Sequence, residues 1–262
     1  MMTITLDHAT RIVDLLTHGL VKGIGIQEPG KMCVEAAVCY ALGLPHSDDP
    51  GCVSPVLRRL KISLNDARWS SNIARAEGLK RLALVQLGSK GVLDDGEFVR
   101  RVIDVTIRRI VPVALRAAAR VNPRHAAALE TCATRCEQDG TQESCNKAKR
   151  VIADASADAY TSAASASAFA SAAAADAAYA ATSAADAAAS VSSASAADAA
   201  AAAADAADSD ADAAEAAAAY AADAAYAHTR DRVLADYAEW IVEILIDMDA
   251  PGAQWLHLAP KA

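Results

Sequence analysis

The sequence predicts an all-α protein in which an amino-terminal helical domain is followed by a closely packed, Ala-rich antiparallel helical array. Apolar residues recur at helical spacing through the first 120 positions. Alanine, the strongest helix former, fills 45 of the 75 residues from Ala153 to Ala227. The 110 residues from Thr141 to Ala250 contain no Gly and no Pro. We therefore predict two helical domains, residues 1–122 and 123–262.

Five helices are predicted in the first domain, each from its apolar spacing and its end signals. Glycines end the first and fourth helices, and the spacing of Asp94 and Glu97 is that of a capping box. Pro112 should kink the last helix, because proline cannot donate a backbone hydrogen bond. The predicted ranges are Leu6 to His18, Met32 to Ala41, Pro55 to Leu64, Ser70 or Ser71 to Leu87, and a long helix that opens at Asp94–Glu97 and ends at Val121.

The Ala-rich tract must fold back on itself, because one helix of this length would extend about 165 Å. Ser, Thr and Asp clusters are the candidate turns, since their side chains compete for backbone hydrogen bonds. These clusters are Thr161-Ser162, Thr182-Ser183, Ser190–Ser193 and Asp208–Asp210. Because alanine buries only one methyl group, we expect the helices to approach closely. An amphipathic helix over Val233–Met248 and an ordered tail over Pro251–Leu256 should close the chain.

Charge is distributed unevenly along the chain. Residues 1–150 carry a net charge of +6, residues 151–227 carry −11, and the remainder carries −3. Packing of the two halves against each other is the simplest interpretation. Six of the acidic residues share one helical arc, which favours a solvated face. They are Asp198, Asp205, Asp208, Asp212, Glu215 and Asp223.

An arginine-rich face on the long amino-terminal helix is the one feature that suggests a nucleic-acid partner. Its members are Arg101, Arg108, Arg109, Arg116 and Arg120. No aromatic residue is interleaved with them and no nucleic-acid-reading motif is present, so the sequence favours a solvated or internally paired face.

Several patterns indicate a cytoplasmic location and no membrane association. The first 16 residues carry Asp7, His8, Arg11 and Asp14 where a secretory signal needs an uninterrupted apolar stretch. Aspartates interrupt the Ala-rich tract, and each would be costly at mid-membrane. We expect the six cysteines to be reduced, and the sequence indicates no cofactor.

The densest group of reactive side chains suggests a cysteine-dependent hydrolase as one interpretation. Cys33 follows a Pro-Gly turn at a predicted helix start, where the helix dipole lowers a thiol pKa. His46 could be the general base, oriented by Asp48 or Asp49. The alternative is that Cys33 is a small hydrophobic residue on a buried helix face.

Metal binding is a weaker interpretation of the same cysteines. Cys33, Cys39, His46 and Cys52 are soft ligands, but none of their spacings is that of a usual zinc site, so we predict no metal. For Cys132, Cys136 and Cys145 we expect a hairpin contact or an adventitious disulfide.

A polar group surrounds one large aromatic residue between the third and fourth predicted helices. These residues could line a binding pocket, and they could equally tie a loop to a helix cap. The candidates are Asn65, Asp66, Arg68, Trp69 and Arg75.

The carboxyl-terminal part carries a family resemblance. The segment Ala-Asp-Ala-Ala-Tyr occurs at 175–179 and again at 222–226, followed by residues 230–249. This pattern resembles the Ala-rich helical carboxyl halves of bacterial Imm-5-like immunity proteins. The resemblance implies a cytoplasmic, non-enzymatic protein that neutralises a toxin by binding it. We expect a protein-binding module of the immunity or inhibitor type, with the cysteine hydrolase as the alternative. The sequence does not specify the oligomeric state, and a homodimer formed through the Ala-rich helices is one alternative.

Overall fold

A computed structural model describes residues 3–161 and 226–261 of the chain. All regular secondary structure in these two stretches is helical, which confirms the predicted all-α fold class. The predicted turns after Thr161, the acidic face and the packing of the Ala-rich helices lie outside the described residues. The α-helices are α1 Leu6–Leu16, α2 Val34–Ala41, α3 Pro55–Asp66, α4 Asn72–Val85, α5 Asp95–Val105, α6 Val111–Val121, α7 Ala126–Asp139, α8 Gln142–Thr161 and α9 Tyr226–Asp247.

The chain divides into two compact units. Among the described residues, unit 1 comprises 3–101 and 234–261, and unit 2 comprises 102–161 and 226–233. The domain boundary predicted at residue 122 lies within unit 2. None of the described helices combines the length and apolar character that crossing a bilayer requires.

Unit 1 is built around α4, which packs against α1, α2, α3 and the carboxyl-terminal tail. Helix α1 begins with a capping box between Thr5 and His8 and buries Ala9, Ile12 and Leu16 along one face. Helix α2 is buried over almost its whole length. Ser54 and Ser71 cap α3 and α4 by accepting backbone hydrogen bonds.

The carboxyl-terminal segment completes unit 1. Helix α9 buries an apolar stripe at helical spacing, which consists of Leu234, Tyr237, Ala238, Ile241, Val242 and Leu245. The tail forms a 3₁₀ helix over Pro251–Leu258. A side chain at Gly252 would clash with the backbone carbonyls of Leu84 and Val85, so glycine lets the tail lie directly on the end of α4.

Unit 2 has its described core between α6, α7 and α8. The predicted long helix over 94–121 forms with one irregularity. Asp94 Oδ1 accepts the Glu97 N–H at 3.0 Å, and a π-helical turn, Thr106–Ile110, replaces regular α-helix just before Pro112. The missing N–H of Pro112 explains this break, because regular hydrogen bonding cannot continue through it.

Candidate functional site

A tight loop over residues 20–33 connects α1 to α2, and we call it the isoleucine loop. It folds back on itself through backbone hydrogen bonds, with an isolated antiparallel bridge between Gly25 and Met32. The bonds run from Val21 N to Met32 O (3.0 Å), from Ile26 N to Lys31 O (2.8 Å) and from Cys33 N to Ile24 O (3.2 Å). Gly25 has a φ of +70°, and a side chain there would clash with the Lys31 carbonyl.

Two of the predicted binding residues fasten this loop to the end of α3. The Asp66 carboxylate accepts the Gly23 N–H at 2.8 Å. Asn65 donates from Nδ2 to the Val21 carbonyl at 3.0 Å and accepts the Val34 N–H at 3.2 Å. The two side chains therefore hold both ends of the isoleucine loop, as expected of residues that tie a loop to a helix.

Arg75 and Trp69 support the same arrangement from α4 and from the α3–α4 connection. Arg75 is buried and donates to the Leu20 carbonyl at 2.9 Å and to the Asn65 carbonyl at 2.7 Å. Trp69 donates from its indole nitrogen to the Leu64 backbone carbonyl at 2.9 Å. Arg68 is exposed. The structure thus brings the predicted binding group together, and Asn65, Asp66, Trp69 and Arg75 each hydrogen-bond to a backbone group.

The isoleucine loop presents apolar side chains to solvent on this fastened frame. Ile24 is 44% exposed and Ile26 is 52% exposed. The two isoleucines flank Gly25 in the loop. Lys22, which precedes them in the loop, is also exposed, and Lys31 pairs with Glu28 at 2.7 Å. The loop is a rigid apolar surface with a charged edge.

A cavity of about 240 Å³ lies behind this loop. Its walls bring Cys33 and Asp48, two predicted catalytic residues, together with Asn65 and Asp66. His46 is not part of the lining. Its Nε2 donates to the Gly25 carbonyl at 3.2 Å, so Nε2 carries the proton, while Nδ1 is buried without a hydrogen-bond partner among the described residues.

The predicted catalytic residues do not form a hydrogen-bonded triad. Within the described part of the chain, no hydrogen bond joins Cys33, His46 and Asp48. Asp48 lies 3.5 Å from Arg58. Cys33 caps α2, with its sulfur accepting the Ala36 N–H at 3.4 Å, but burial raises the pKa of this thiol. Desolvation therefore outweighs the helix dipole, and the nucleophilic thiolate is disfavoured.

The other cysteines of unit 1 follow the same trend. Burial raises the pKa of Cys39 to about 12 and also raises the pKa of Cys52. All six cysteines are free. In unit 2, where we expected a hairpin contact or an adventitious disulfide among Cys132, Cys136 and Cys145, the three thiols are buried and free, and a hydrogen bond joins Cys145 to Cys136. The described residues include no group of three or more His, Cys, Asp or Glu that could hold a metal ion.

A fully buried ion pair lies at the centre of unit 1. Lys61 Nζ is 3.1 Å from Glu35 Oε1, and neither side chain has any exposed surface. Gln86 donates to the other Glu35 oxygen at 3.3 Å. Burial raises the pKa of Glu35 and lowers the pKa of Lys61, so each group is pushed toward its neutral form.

Sequence reasoning missed Lys61 and Gln86 as members of this buried group. A signal was present, because Lys61 falls on the apolar face of α3 with Leu57, Leu60 and Leu64. A lysine at such a position is buried only when a partner meets it. Its partner could not be read from spacing, since Glu35 lies on another helix and the two meet only in the folded chain.

Comparison with known proteins gives no relative for this chain. No known family, no curated protein and no solved structure matches it.

Proposed function

We propose that this chain is a non-enzymatic protein-binding module of the immunity or inhibitor type, which neutralises a protein partner in the bacterial cytoplasm. The isoleucine loop is the contact surface in this proposal. The observation that carries it is the exposure of Ile24 and Ile26, 44% and 52%, on a loop whose backbone is held from both sides. Exposed apolar side chains on a rigid frame are typical of interaction sites.

Rigidity matters for affinity. A loop that is already ordered loses little conformational entropy on binding, so more of the contact energy appears as affinity. Asn65, Asp66 and Arg75 supply that order by holding the loop backbone. In this proposal they act as positioning residues, and the partner buries the two isoleucines.

The cysteine-hydrolase alternative receives less support. Cys33 is buried with a raised pKa, and His46 donates its proton to a backbone carbonyl. A nucleophilic cysteine needs a thiolate and a base within hydrogen-bonding reach, and the raised pKa and the separate hydrogen bonds of Cys33 and His46 count against both.

The test is a comparison of three full-length tagged chains expressed in a bacterial cytoplasm. Wild type is compared with the double variant Ile24→Asp/Ile26→Asp and with the control Ile246→Asp, whose isoleucine is 40% exposed on α9. We expect wild type and control to co-purify the same stoichiometric protein and to relieve its toxicity on co-expression. The double variant should recover at least about tenfold less, because two buried isoleucines are lost from the contact.

Equal recovery by all three chains would reject the isoleucine loop as the contact surface. A recovered partner whose toxicity is unchanged by the wild-type chain would reject the immunity function itself. Rapid alkylation of Cys33 in the folded chain at pH 6 to 7 would favour the hydrolase instead.

A further inference from the structure

A second cavity in unit 1, of about 770 Å³, lies apart from the isoleucine loop. It is formed by the α2–α3 connection, the α4–α5 connection and the carboxyl-terminal 3₁₀ helix, and none of its lining residues belongs to the isoleucine loop. This volume is within the range of small-molecule sites. Apolar side chains make up most of its walls, chiefly Leu44, Pro50, Leu87, Val92, Pro251 and Trp255.

The walls of this cavity are held in place without a ligand. The Ser54 N–H donates to the Ser89 hydroxyl at 2.9 Å, and the Lys90 N–H donates to the Cys52 carbonyl at 3.1 Å. The two connections are therefore joined by hydrogen bonds. Gly252 seats the 3₁₀ helix against α4, which places Trp255 at the third wall. The cavity is preformed, as binding sites for small molecules usually are.

Among the described residues, the charged side chains that line the cavity are Asp49 and Lys90, and they differ in their ion pairing. Asp49 lies 3.6 Å from Arg58, which also lies 3.5 Å from Asp48, and it accepts the Gly51 N–H at 3.1 Å, so its charge is partly compensated. Lys90 is exposed and has no ion-pair partner among the described residues. The cavity therefore combines apolar walls with one available positive charge.

We propose that this cavity binds an apolar monocarboxylate, a molecule of the fatty-acid type. Its hydrocarbon chain lies along the apolar walls and its carboxylate meets the Lys90 ammonium. Apolar area supplies most of the affinity, and the single charge selects a carboxylate over a neutral or cationic head group. This site is independent of the protein-binding surface proposed above.

Calorimetric titration of the full-length chain tests the proposal with octanoate, decanoate and dodecanoate, each below its micelle-forming concentration. The dissociation constant should fall about fourfold for each added methylene until the cavity is filled. Decanoate should bind more tightly than decanol, and decylammonium should bind most weakly.

Two variants and one control locate the ligand. Lys90→Gln should weaken decanoate binding about three- to fivefold and leave decanol unchanged, because only the head-group contact is lost. Val92→Asp, at a position 56% exposed and therefore tolerant of substitution, should weaken decanoate at least about tenfold by placing a charge in the apolar wall. Lys147→Gln, which changes an exposed lysine on α8, should bind as wild type does.

The alkylation rate of Cys52 provides a second measurement of ligand binding, independent of calorimetry. Cys52 lines the cavity and is the only one of the six cysteines that is partly exposed rather than fully buried. Bound decanoate should slow its alkylation in proportion to the unbound fraction, about tenfold at ten times the dissociation constant. The proposal would be overturned if decanoate gave no heat of binding and also did not slow the alkylation of Cys52. Equal decanoate binding by Lys90→Gln and wild type, tighter binding of decylammonium, or binding to anionic vesicles without binding of monomeric decanoate would overturn it as well.

Discussion

Units 1 and 2 build their cores from side chains of different size. The largest fully buried side chains of unit 1 include Tyr237, Phe98, Leu57 and Leu79. In the described core of unit 2, seven alanines and three cysteines make up ten of the fifteen buried residues. Burial of a small side chain contributes little free energy, so the stability of unit 2 depends on close approach of its helices. The stability of unit 1 depends instead on the burial of large side chains.

The two units also place their ion pairs differently. Unit 1 encloses Glu35 and Lys61 completely. In unit 2, Arg116 donates to Glu137 at 2.8 Å, at a site where both side chains remain partly exposed. Water screens the Arg116–Glu137 pair but not the Glu35–Lys61 pair. Removing one partner should therefore change the free energy of unfolding much more in unit 1 than in unit 2.

The largest expected effect is at the buried pair. Lys61→Ala should lower the free energy of unfolding of unit 1 by about 3–5 kcal/mol, because it leaves the Glu35 carboxylate buried and unpaired. Urea denaturation followed by tryptophan fluorescence measures this directly, since Trp69, Trp240 and Trp255 all lie in unit 1.

Two further variants show whether the loss comes from burial. Glu35→Gln/Lys61→Met should recover much of the stability, because no unpaired charge remains. Arg116→Met in unit 2 should cost less than about 1 kcal/mol, measured by hydrogen exchange of α7. A loss at Lys61 as small as that at Arg116 would contradict the contrast between the two pairs.

Introducing a larger side chain should test whether the helices of the small-residue core of unit 2 are closely packed. Ala133 is fully buried on α7, and Ala133→Leu should destabilise unit 2 by about 1–3 kcal/mol, since closely approaching helices cannot admit a larger side chain. Ala128→Leu, at an exposed position of the same helix, is the matched control and should be nearly neutral. Hydrogen exchange of the α7 amides reports both, and equal protection in the two variants would show that α7 is not closely packed.

Alkaline pH should affect Cys39 of unit 1 and Cys136 of unit 2 in opposite directions. Burial raises the pKa of Cys39 to about 12, so above pH 9 the unfolded chain releases this proton while the folded chain retains it. The free energy of unfolding should therefore fall as pH rises, by up to about 1.4 kcal/mol per pH unit for this group. In unit 2, a hydrogen bond from Cys145 lowers the pKa of Cys136, which gives the opposite slope below pH 9.

The slopes from pH 8 to 10 can be compared in two variants. Cys39→Ala should flatten the alkaline loss of stability in unit 1, followed by tryptophan fluorescence. Cys136→Ala should not flatten it. If the unfolding free energy of Cys39→Ala fell with pH as steeply as that of wild type, protonation of this thiol would not be linked to unfolding.

Helix positions were accessible from the sequence because they depend on local signals. The cap at Asp94, the glycine after α1 and the amphipathic character of α9 are all encoded within a few residues of each helix end. The π-helical turn was located only as a kink at Pro112, since the sequence does not specify how the broken hydrogen bonding is resolved.

The candidate site was only partly accessible. The group from Asn65 to Arg75 was identified by its polarity, and spacing alone could not decide between lining a pocket and holding a loop. The decision depends on contacts between distant residues, such as Asp66 with Gly23 and Arg75 with Leu20. The exposed isoleucines were not identified, because exposure depends on the whole fold.

The most local expected effect tests whether Asp66 holds the isoleucine loop. Asp66→Ala removes the acceptor of the Gly23 N–H and should cost about 1 kcal/mol, expressed mainly as faster hydrogen exchange at Gly23 and its neighbours. Asp14→Ala, at an exposed aspartate on α1, is the control and should leave the loop unchanged. Because unit 1 fastens its loop through side chains rather than through close helix contacts, exchange in α4 should stay at its wild-type rate. Equal acceleration in the loop and α4 would instead make Asp66 a general stabiliser of unit 1.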